Sequence, residues 1–405
     1  MGNCFLYKRG FGGFGGGFGG GSGGGGEDVP GIEKTASGKV ISILDSMEKP
    51  LKGLRLFGKT TQNGTPSPDA PVPMESVGDV GSIGVTVCGK NLWNNNIFAS
   101  EPTSINKSET GFIFTRGNTT GGQYVALGIP LLKGQTVTFS ANGSSYAPKL
   151  YIYRDKVYGT TLKDGVNKIT YTPTEDIKSA VFAITISSAS GDNVFSNIQV
   201  EYGAMATTFE PYKEPQTLTL STPNGLPGVH VSEGGNYTDE NGWQWICDEV
   251  DFARGVYVQR VNKVIYDGSS DENWRINGAR IQLNLSGIVF PKAVTVLPGC
   301  LCDHYERKTA NNTYDGIIGI SIQGCGDGAG AMFIRYGETA DLEAWKAMLA
   351  ESPITCLFAL ATPVETDLTP EQLSAYAALH TLSPSTTIYN DADSYMEVKY
   401  MAKGG

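Results

Sequence analysis

Few residues in this chain have the types and spacing that chemistry needs. Cys300-Leu-Cys302-Asp-His304 brings metal-ligand types together. No second Cys or His pair completes a tetrahedral zinc site, so a structural turn with buried thiols is expected there and no metal. Gly324-Cys-Gly326-Asp-Gly328-Ala-Gly330 looks superficially like a phosphate loop. It lies between two expected strands, where no helix N-terminus would face an anion, so a hairpin or bulged turn is expected. Asp248, Glu249 and Asp251 could supply paired carboxylates for glycoside cleavage. Acidic residues bordering strands are usually a solvated face, and that is the expectation here. His230, His304 and His380 are isolated, and spacing supports no Ser/His/Asp or Cys/His constellation. Triplets such as Asn118-Thr-Thr and Asn236-Tyr-Thr matter as glycosylation acceptors only along a secretory route. The expectation is a protein without enzymatic activity.

Binding is the better prospect. Tyr146, Tyr151, Tyr153 and Tyr158 are close in sequence. In a strand, Tyr151 and Tyr153 share one face and Leu150 and Ile152 the other. Flat aromatics bury the apolar face of a pyranose, while polar neighbours such as Arg154, Asp155 and Asn142 take its hydroxyls. The competing reading makes these tyrosines ordinary strand residues. Asp192-Asn193 beside Gly191 has the donor types of a calcium site, although a turn uses the same residues. No other cofactor is indicated.

These residues need a scaffold, and composition says which kind. The chain has 405 residues, enough for two or three domains with real cores, and 40% of them are hydrophobic. Charged residues are only 18%, while Gly, Thr, Ser and Asn are plentiful, which suits an all-β protein with many turns. A net charge of -10 argues against a nucleic-acid partner. Seven widely spread cysteines suggest reduced, mostly buried thiols rather than a disulfide framework. No apolar run approaches a membrane span and no signal-peptide core is visible, so folding in a cytosol is expected.

From Gly10 to Gly26 the chain is nearly all glycine, punctuated by Phe11, Phe14 and Phe18. Such a tract has too much backbone entropy to fold alone. It reads either as a linker or as an attachment segment whose phenylalanines order against another protein. Leu6 stands where a myristoylation motif wants Ser or Thr, so that reading fails.

Short strands with turn residues between them fill the stretch from Asn91 to Val200, which indicates a two-sheet jelly-roll-type sandwich. Ile198 to Tyr212 reads as its last strand and the way out, with a corner at Gly203-Ala204 and an extended exit imposed by Pro211. Further on, Trp243 and Trp245 alternate with Gln244 in a strand whose apolar face is buried. Thr339 is the expected N-cap of a helix bearing Leu342, Trp345, Met348 and Leu349 on one face. Thr369-Pro370-Glu-Gln372 starts a second helix with a capping box, placing Leu373, Tyr376 and Leu379 inward. The expected fold is mainly β: a jelly-roll-type sandwich plus a second β-rich α+β region. The expected organisation is a Gly/Phe-rich attachment segment at 1–32 and a β segment at 33–88 packing with the C-terminal region. A carbohydrate-binding-like sandwich at 89–213 and a C-terminal β-rich domain with two helices at 214–405 complete it.

Several long motifs add a resemblance. They are Gly58-Lys-Thr-Thr-Gln-Asn-Gly-Thr-Pro-Ser-Pro-Asp-Ala-Pro-Val-Pro73, Val85-Thr-Val-Cys-Gly-Lys-Asn-Leu92 and Gln199-Val-Glu-Tyr-Gly-Ala-Met-Ala-Thr-Thr-Phe-Glu-Pro-Tyr-Lys213. Leu218-Thr-Leu-Ser-Thr-Pro-Asn-Gly-Leu-Pro-Gly228, Leu360-Ala-Thr-Pro-Val-Glu-Thr366, Thr387-Ile-Tyr-Asn-Asp-Ala392 and Met396-Glu-Val-Lys-Tyr400 follow in order. In these the chain resembles tail-associated virion proteins of siphophages and prophages of Gram-positive hosts. The resemblance covers nearly everything from residue 35 onward and leaves out the glycine tract. It implies a minor structural or receptor-binding-like protein at the tail or baseplate periphery, assembled in the host cytoplasm. The implied partners are other virion proteins and a host-surface glycan, with no membrane, and the implied state is a homo-oligomer, most simply a trimer. The alternatives are a purely structural head or tail decoration protein and, more remotely, a glycan depolymerase.

Overall fold

The computed structural model describes residues 31–404 apart from 95–104, 109, 117–122, 144–147, 156–159, 186–190, 270, 290–298, 309–315 and 326–328. Strands dominate, and among the described residues there are two helices, Leu342–Glu351 and Pro370–Ala377. Neither is long and apolar enough to cross a membrane.

A base sandwich is built from both ends of the described chain. Its larger sheet runs, in spatial order, Ile32–Gly38, Tyr395–Ala402, Gly53–Phe57, Glu249–Asp251, Val256–Tyr266, Ile354–Asp367 and Cys300–Cys302. The smaller sheet runs Gln216–Thr222, Gly81–Cys88, Ser385–Asn390 and Val40–Leu44. Alternation explains the layering: Ile83, Val85 and Val87 are wholly buried while the residues between them are only half so. They meet Leu54, Leu56, Leu218, Leu220, Val250, Met396 and Val398 in one core.

Two long excursions leave this base, each from between a pair of antiparallel neighbours. Gly81–Cys88 pairs with Gln216–Thr222, from Val87 against Gln216 to Gly81 against Thr222. The chain between them forms the jelly-roll-type sandwich. One of its sheets runs Lys168–Tyr171, Val137–Gly143, Gly191–Tyr202, Gly111–Arg116 and Ile105–Ser108. The other runs Thr161–Val166, Lys149–Arg154, Ile177–Thr185 and Gln123–Leu131. Trp93, Phe112, Phe139 and Phe182 are buried between them, with Trp93 stacked on Phe139 at 5.4 Å.

The second excursion leaves between Val256–Tyr266 and Ile354–Asp367, which pair from Val256 against Asp367 to Tyr266 against Ile354. It contains the sheet Trp274–Asn277, Arg280–Val289, Ala329–Arg335, Gly319–Cys325 and the first helix. Trp345 and Leu349 of that helix are fully buried against Trp274, Ile334 and Cys356. Its N-cap is Asp341 rather than the expected Thr339, because the Asp341 carboxylate accepts from the Glu343 and Ala344 N–H groups. The second helix begins as expected. Thr369 caps it, Pro370 opens it, and Gln372 returns the bond to the Thr369 N–H at 2.9 Å. Its Leu373 and Tyr376 are half-buried on the base core, and Leu379 just beyond it is buried.

The motif residues of the resemblance cluster at the junction of base and jelly roll. Asn91 is buried and makes four hydrogen bonds. Its amide donates to the Ile198 and Glu210 carbonyls at 2.9 and 3.0 Å. Its carbonyl accepts from the Trp93 and Val200 N–H groups at 2.9 and 3.1 Å. Lys90 pairs with Glu210 at 3.0 Å, and the Ser385 hydroxyl donates to the same carboxylate at 2.8 Å. Gly58 and Gly228 meet where chains cross: a Cβ on Gly58 would stand 2.3 Å from the Leu226 carbonyl oxygen, and one on Gly228 would stand 2.6 Å from that of Gly58.

Candidate functional site

The strand Lys149–Arg154 alternates as its sequence requires. Leu150 and Ile152 are buried in the jelly-roll core, and Tyr151 and Tyr153 lie together on the opposite face, stacked at 5.7 Å. That face does not offer both rings. Tyr153 is only 4% exposed and packs on Val181 and Ala183, while Tyr151 is half-buried with the Lys149 ammonium 5.1 Å from its ring centre. Neighbouring strands place small side chains opposite Tyr153, and its ring fills the space they leave. Arg154 is turned to Glu175 at 2.6 Å, and Asp155 sits in a left-handed turn with φ 51°. Tyr146 and Tyr158 lie outside the described residues, as do Phe11, Phe14 and Phe18. Asp192 and Asn193 are strand residues, paired with Thr115 and Phe114. Replacing Tyr153 with alanine should therefore cost about 3 kcal/mol, as for other buried aromatics, and Tyr151 about 1 kcal/mol. Equilibrium urea denaturation checks this, and equal small losses for both would contradict the burial.

A more open site lies on the outer face of the other sheet. The strand Gly191–Tyr202 sends Ile198 and Val200 into the core and Gln199 and Glu201 outward. These two polar side chains are still only 1% exposed, because the chain folds back over them after Gly203. The Gln199 amide donates to Glu201 at 2.7 Å and its carbonyl accepts from the Glu210 N–H at 2.9 Å. Glu201 accepts from the Thr207 N–H and hydroxyl at 2.8 and 2.7 Å. This network fixes a wall, and against it opens a cleft of about 510 Å³.

Asn142, Asn167, Asn197 and Lys168 surround the cleft, with Ser140 and the half-buried Phe209. The three asparagine side chains are exposed and hold no protein hydrogen bond. Asn167 and Asn197 stand in left-handed backbone at φ 64° and 51°, a conformation asparagine tolerates better than most residues. A bulge between Ser140 and Asn142 turns the latter toward the rim. Carboxamides that donate and accept, one ammonium and one ring edge are what a polyhydroxylated ligand needs. Sequence reading missed this site, because its residues come from four separate stretches and only Asn142 drew attention.

The acidic triplet is the clearest correction. Asp248, Glu249 and Asp251 are buried, not solvated. Glu249 bonds Arg55 at 3.0 Å and Arg260 at 3.0 Å, and Asn236 donates to it at 3.1 Å. Asp251 lies 3.7 Å from Arg55. Buried carboxylates are tolerable only when paired this way, and both arginines come from neighbouring strands. Asp248 instead accepts from the Arg260 and Val261 N–H groups at 2.7 Å each and from the Tyr257 hydroxyl. The two amides flank the bulge between Gln259 and Val261, so the carboxylate caps it.

Burial pushes the Asp248 carboxyl from 3.8 up to about 6, against these donors and the Arg260 charge, which pull it down. The folded protein then holds the proton more tightly than the unfolded chain between those values, so stability falls as pH rises through that window and is level above it. Wild type should lose about 2 kcal/mol relative to Asp248→Asn between pH 4 and 6. Urea midpoints of the two proteins across that range test it, and a constant difference would contradict it.

The other candidates have structural partners. His304 bonds Asp303 at 2.7 Å and Ser352 at 3.0 Å, and Cys300 and Cys302 are buried. The glycine-rich run joins two paired strands, Gly319–Cys325 and Ala329–Arg335, as expected of a hairpin. Trp245 is buried, but Trp243, expected on the same buried face, is 57% exposed and lies edge-on to His230 at 5.0 Å. Among the described residues no group of three or more His, Cys, Asp or Glu side chains is placed to hold a metal. No family model, curated protein or solved structure matches the chain, so its function rests on geometry and on its own motifs.

Proposed function

We propose that this chain is a virion structural protein, tail-associated, that binds a host-surface glycan through the amide-lined cleft of its jelly roll. The observation that carries the reading is the set of three exposed, unpartnered carboxamides beside Lys168 and Phe209, on a floor locked by the Gln199–Glu201 network. A rigid floor reduces the ordering cost of binding, and amides match sugar hydroxyls in both directions. The jelly roll joins the base through the adjacent strands Gly81–Cys88 and Gln216–Thr222 and carries the cleft on an outer sheet face, which suits a module that presents a ligand site. The order of the sequence motifs favours a virion protein, and the clustering of several of them at the junction gives them a shared structural task.

A single cleft of this kind binds weakly. Several copies on one particle would raise avidity by about 10²–10⁴, so a homo-oligomer, most simply a trimer, belongs to the proposal. The purified full chain, immobilised at high density, should bind a restricted set of glycans from Gram-positive cell walls on an array. Absence of binding to any of them would leave an assembly role and overturn the glycan reading.

A further inference from the structure

Three buried thiols gather where the edge strand Cys300–Cys302 joins the base sheet: Cys300, Cys302 and Cys356. Their strands run antiparallel, with Cys302 directly opposite Cys356 and Cys300 opposite Phe358. The hydrogen bonds flanking the strand set the register type. The Asp303 N–H donates to the Thr355 carbonyl at 3.2 Å, and the Ala359 N–H donates to the Gly299 carbonyl at 3.1 Å. Bonded pairs therefore fall at 299/359 and 303/355, and Cys302/Cys356 is a non-hydrogen-bonded pair. In that position opposed Cα atoms stand about 4.5 Å apart with side chains at their closest. This lies inside the Cα range of about 4.4–6.8 Å that a disulfide spans. Cys300 is the diagonal neighbour of Cys356, at about 7–8 Å, and falls outside it.

We propose that Cys302 and Cys356 are a cross-strand dithiol that closes to a disulfide when the chain meets a disulfide oxidant. The Cys302 side chain beside it, together with burial, holds the Cys356 thiol well above its usual range, and Cys302 Sγ lies 3.8 Å from an Asp303 carboxylate oxygen. Reaction thus proceeds through opening of the edge strand, which exposes Cys302 first. With oxidised glutathione, the Cys302 thiolate attacks one sulfur, the glutathione S–S bond breaks and one glutathione thiolate leaves. The Cys356 thiolate then attacks Cys302 Sγ and expels the second. Two protein thiols are oxidised, one glutathione disulfide becomes two thiols, and the two protons pass to the leaving sulfurs.

The bridge would tie together residues 54 positions apart, enclosing the later part of the second excursion with the strands Gly319–Cys325 and Ala329–Arg335 and the first helix. The geometry stands without the functional reading. On that reading, the thiols stay open during assembly in a reducing cytosol, and the bridge closes after release.

Full-length protein is incubated with oxidised glutathione at pH 8.5, and a second sample is refolded from urea in a glutathione redox buffer. Both are alkylated and mapped by non-reducing mass spectrometry, alongside Cys300→Ala and Cys302→Ala. A Cys302–Cys356 cross-linked peptide is expected in wild type and Cys300→Ala but not in Cys302→Ala, with a melting temperature on the order of 10 °C above the reduced protein. Fully alkylatable Cys302 and Cys356 in both samples would overturn the proposal. So would a cross-linked form less stable than the reduced one, or bridging of Cys356 to Cys300 in wild type.

Discussion

Asn91→Ala is expected to destabilise the protein by about 3–4 kcal/mol. The side chain is 2% exposed and holds two N–H donors and two carbonyls from three separate stretches. Alanine leaves the buried Trp93 and Val200 N–H groups without that acceptor, at roughly 1–3 kcal/mol for each such group. The loss should fall on the jelly roll first, because Asn91 joins its inbound segment to its last strand and its outbound segment. Urea denaturation by circular dichroism should show an earlier transition or a new first phase. Limited proteolysis should cut near residues 93–110 and 203–213 before the base is touched. A loss below 1 kcal/mol would mean that the junction is held by the strand pairing alone.

The motifs that carry the resemblance thus have a physical explanation that does not involve a ligand. Lys90, Asn91, Glu210 and Ser385 are spread over nearly 300 positions of sequence and meet at one seam. Such residues constrain one another through packing and hydrogen bonds. They identify an architecture more directly than they identify what the architecture binds.

How much of this could be read from the sequence depends on the range of the interaction. Local signals were sufficient for Leu150 and Ile152 against Tyr151 and Tyr153, and for the Thr369–Gln372 capping box, since each is decided within a few residues. Strand positions in the jelly roll were legible for the same reason, although Ile105–Ser108 and Thr161–Val166 have too little apolar alternation to show. Long-range pairing was not. The solvated face expected at Asp248, Glu249 and Asp251 failed because Arg55, 194 positions from Glu249, supplies a charge that no local pattern announces. Tyr153 has the sequence pattern of a stacking residue yet is buried, because periodicity separates two faces without saying which is open. The cleft was invisible for a related reason: Asn142, Asn167, Asn197 and Phe209 have ordinary turn and loop compositions, and only the bulge and the return after Gly203 bring them together.

The second large effect concerns that cleft. Removing the carboxamides of Asn142 and Asn197 together takes away up to four hydrogen bonds to a bound sugar. At about 0.5–1.5 kcal/mol each, that is at least a tenfold loss of monovalent affinity, multiplied on a multivalent surface. Made as Asn142→Ala with Asn197→Gly, which keeps the left-handed backbone at φ 51° without strain, the changes should leave folding intact within about 0.5 kcal/mol, since both side chains are exposed and hold no protein partner. Tyr151→Ala, on the opposite sheet, should leave binding unchanged.

The decisive measurement is binding of the full-length wild type, Asn142→Ala/Asn197→Gly and Tyr151→Ala proteins to the glycan that the array selects, with melting temperatures recorded alongside. Wild type and Tyr151→Ala are expected to bind, with at least a tenfold loss for the double variant at an unchanged melting temperature. Undiminished binding by the double variant, or loss of binding only with Tyr151→Ala, would contradict the proposed site.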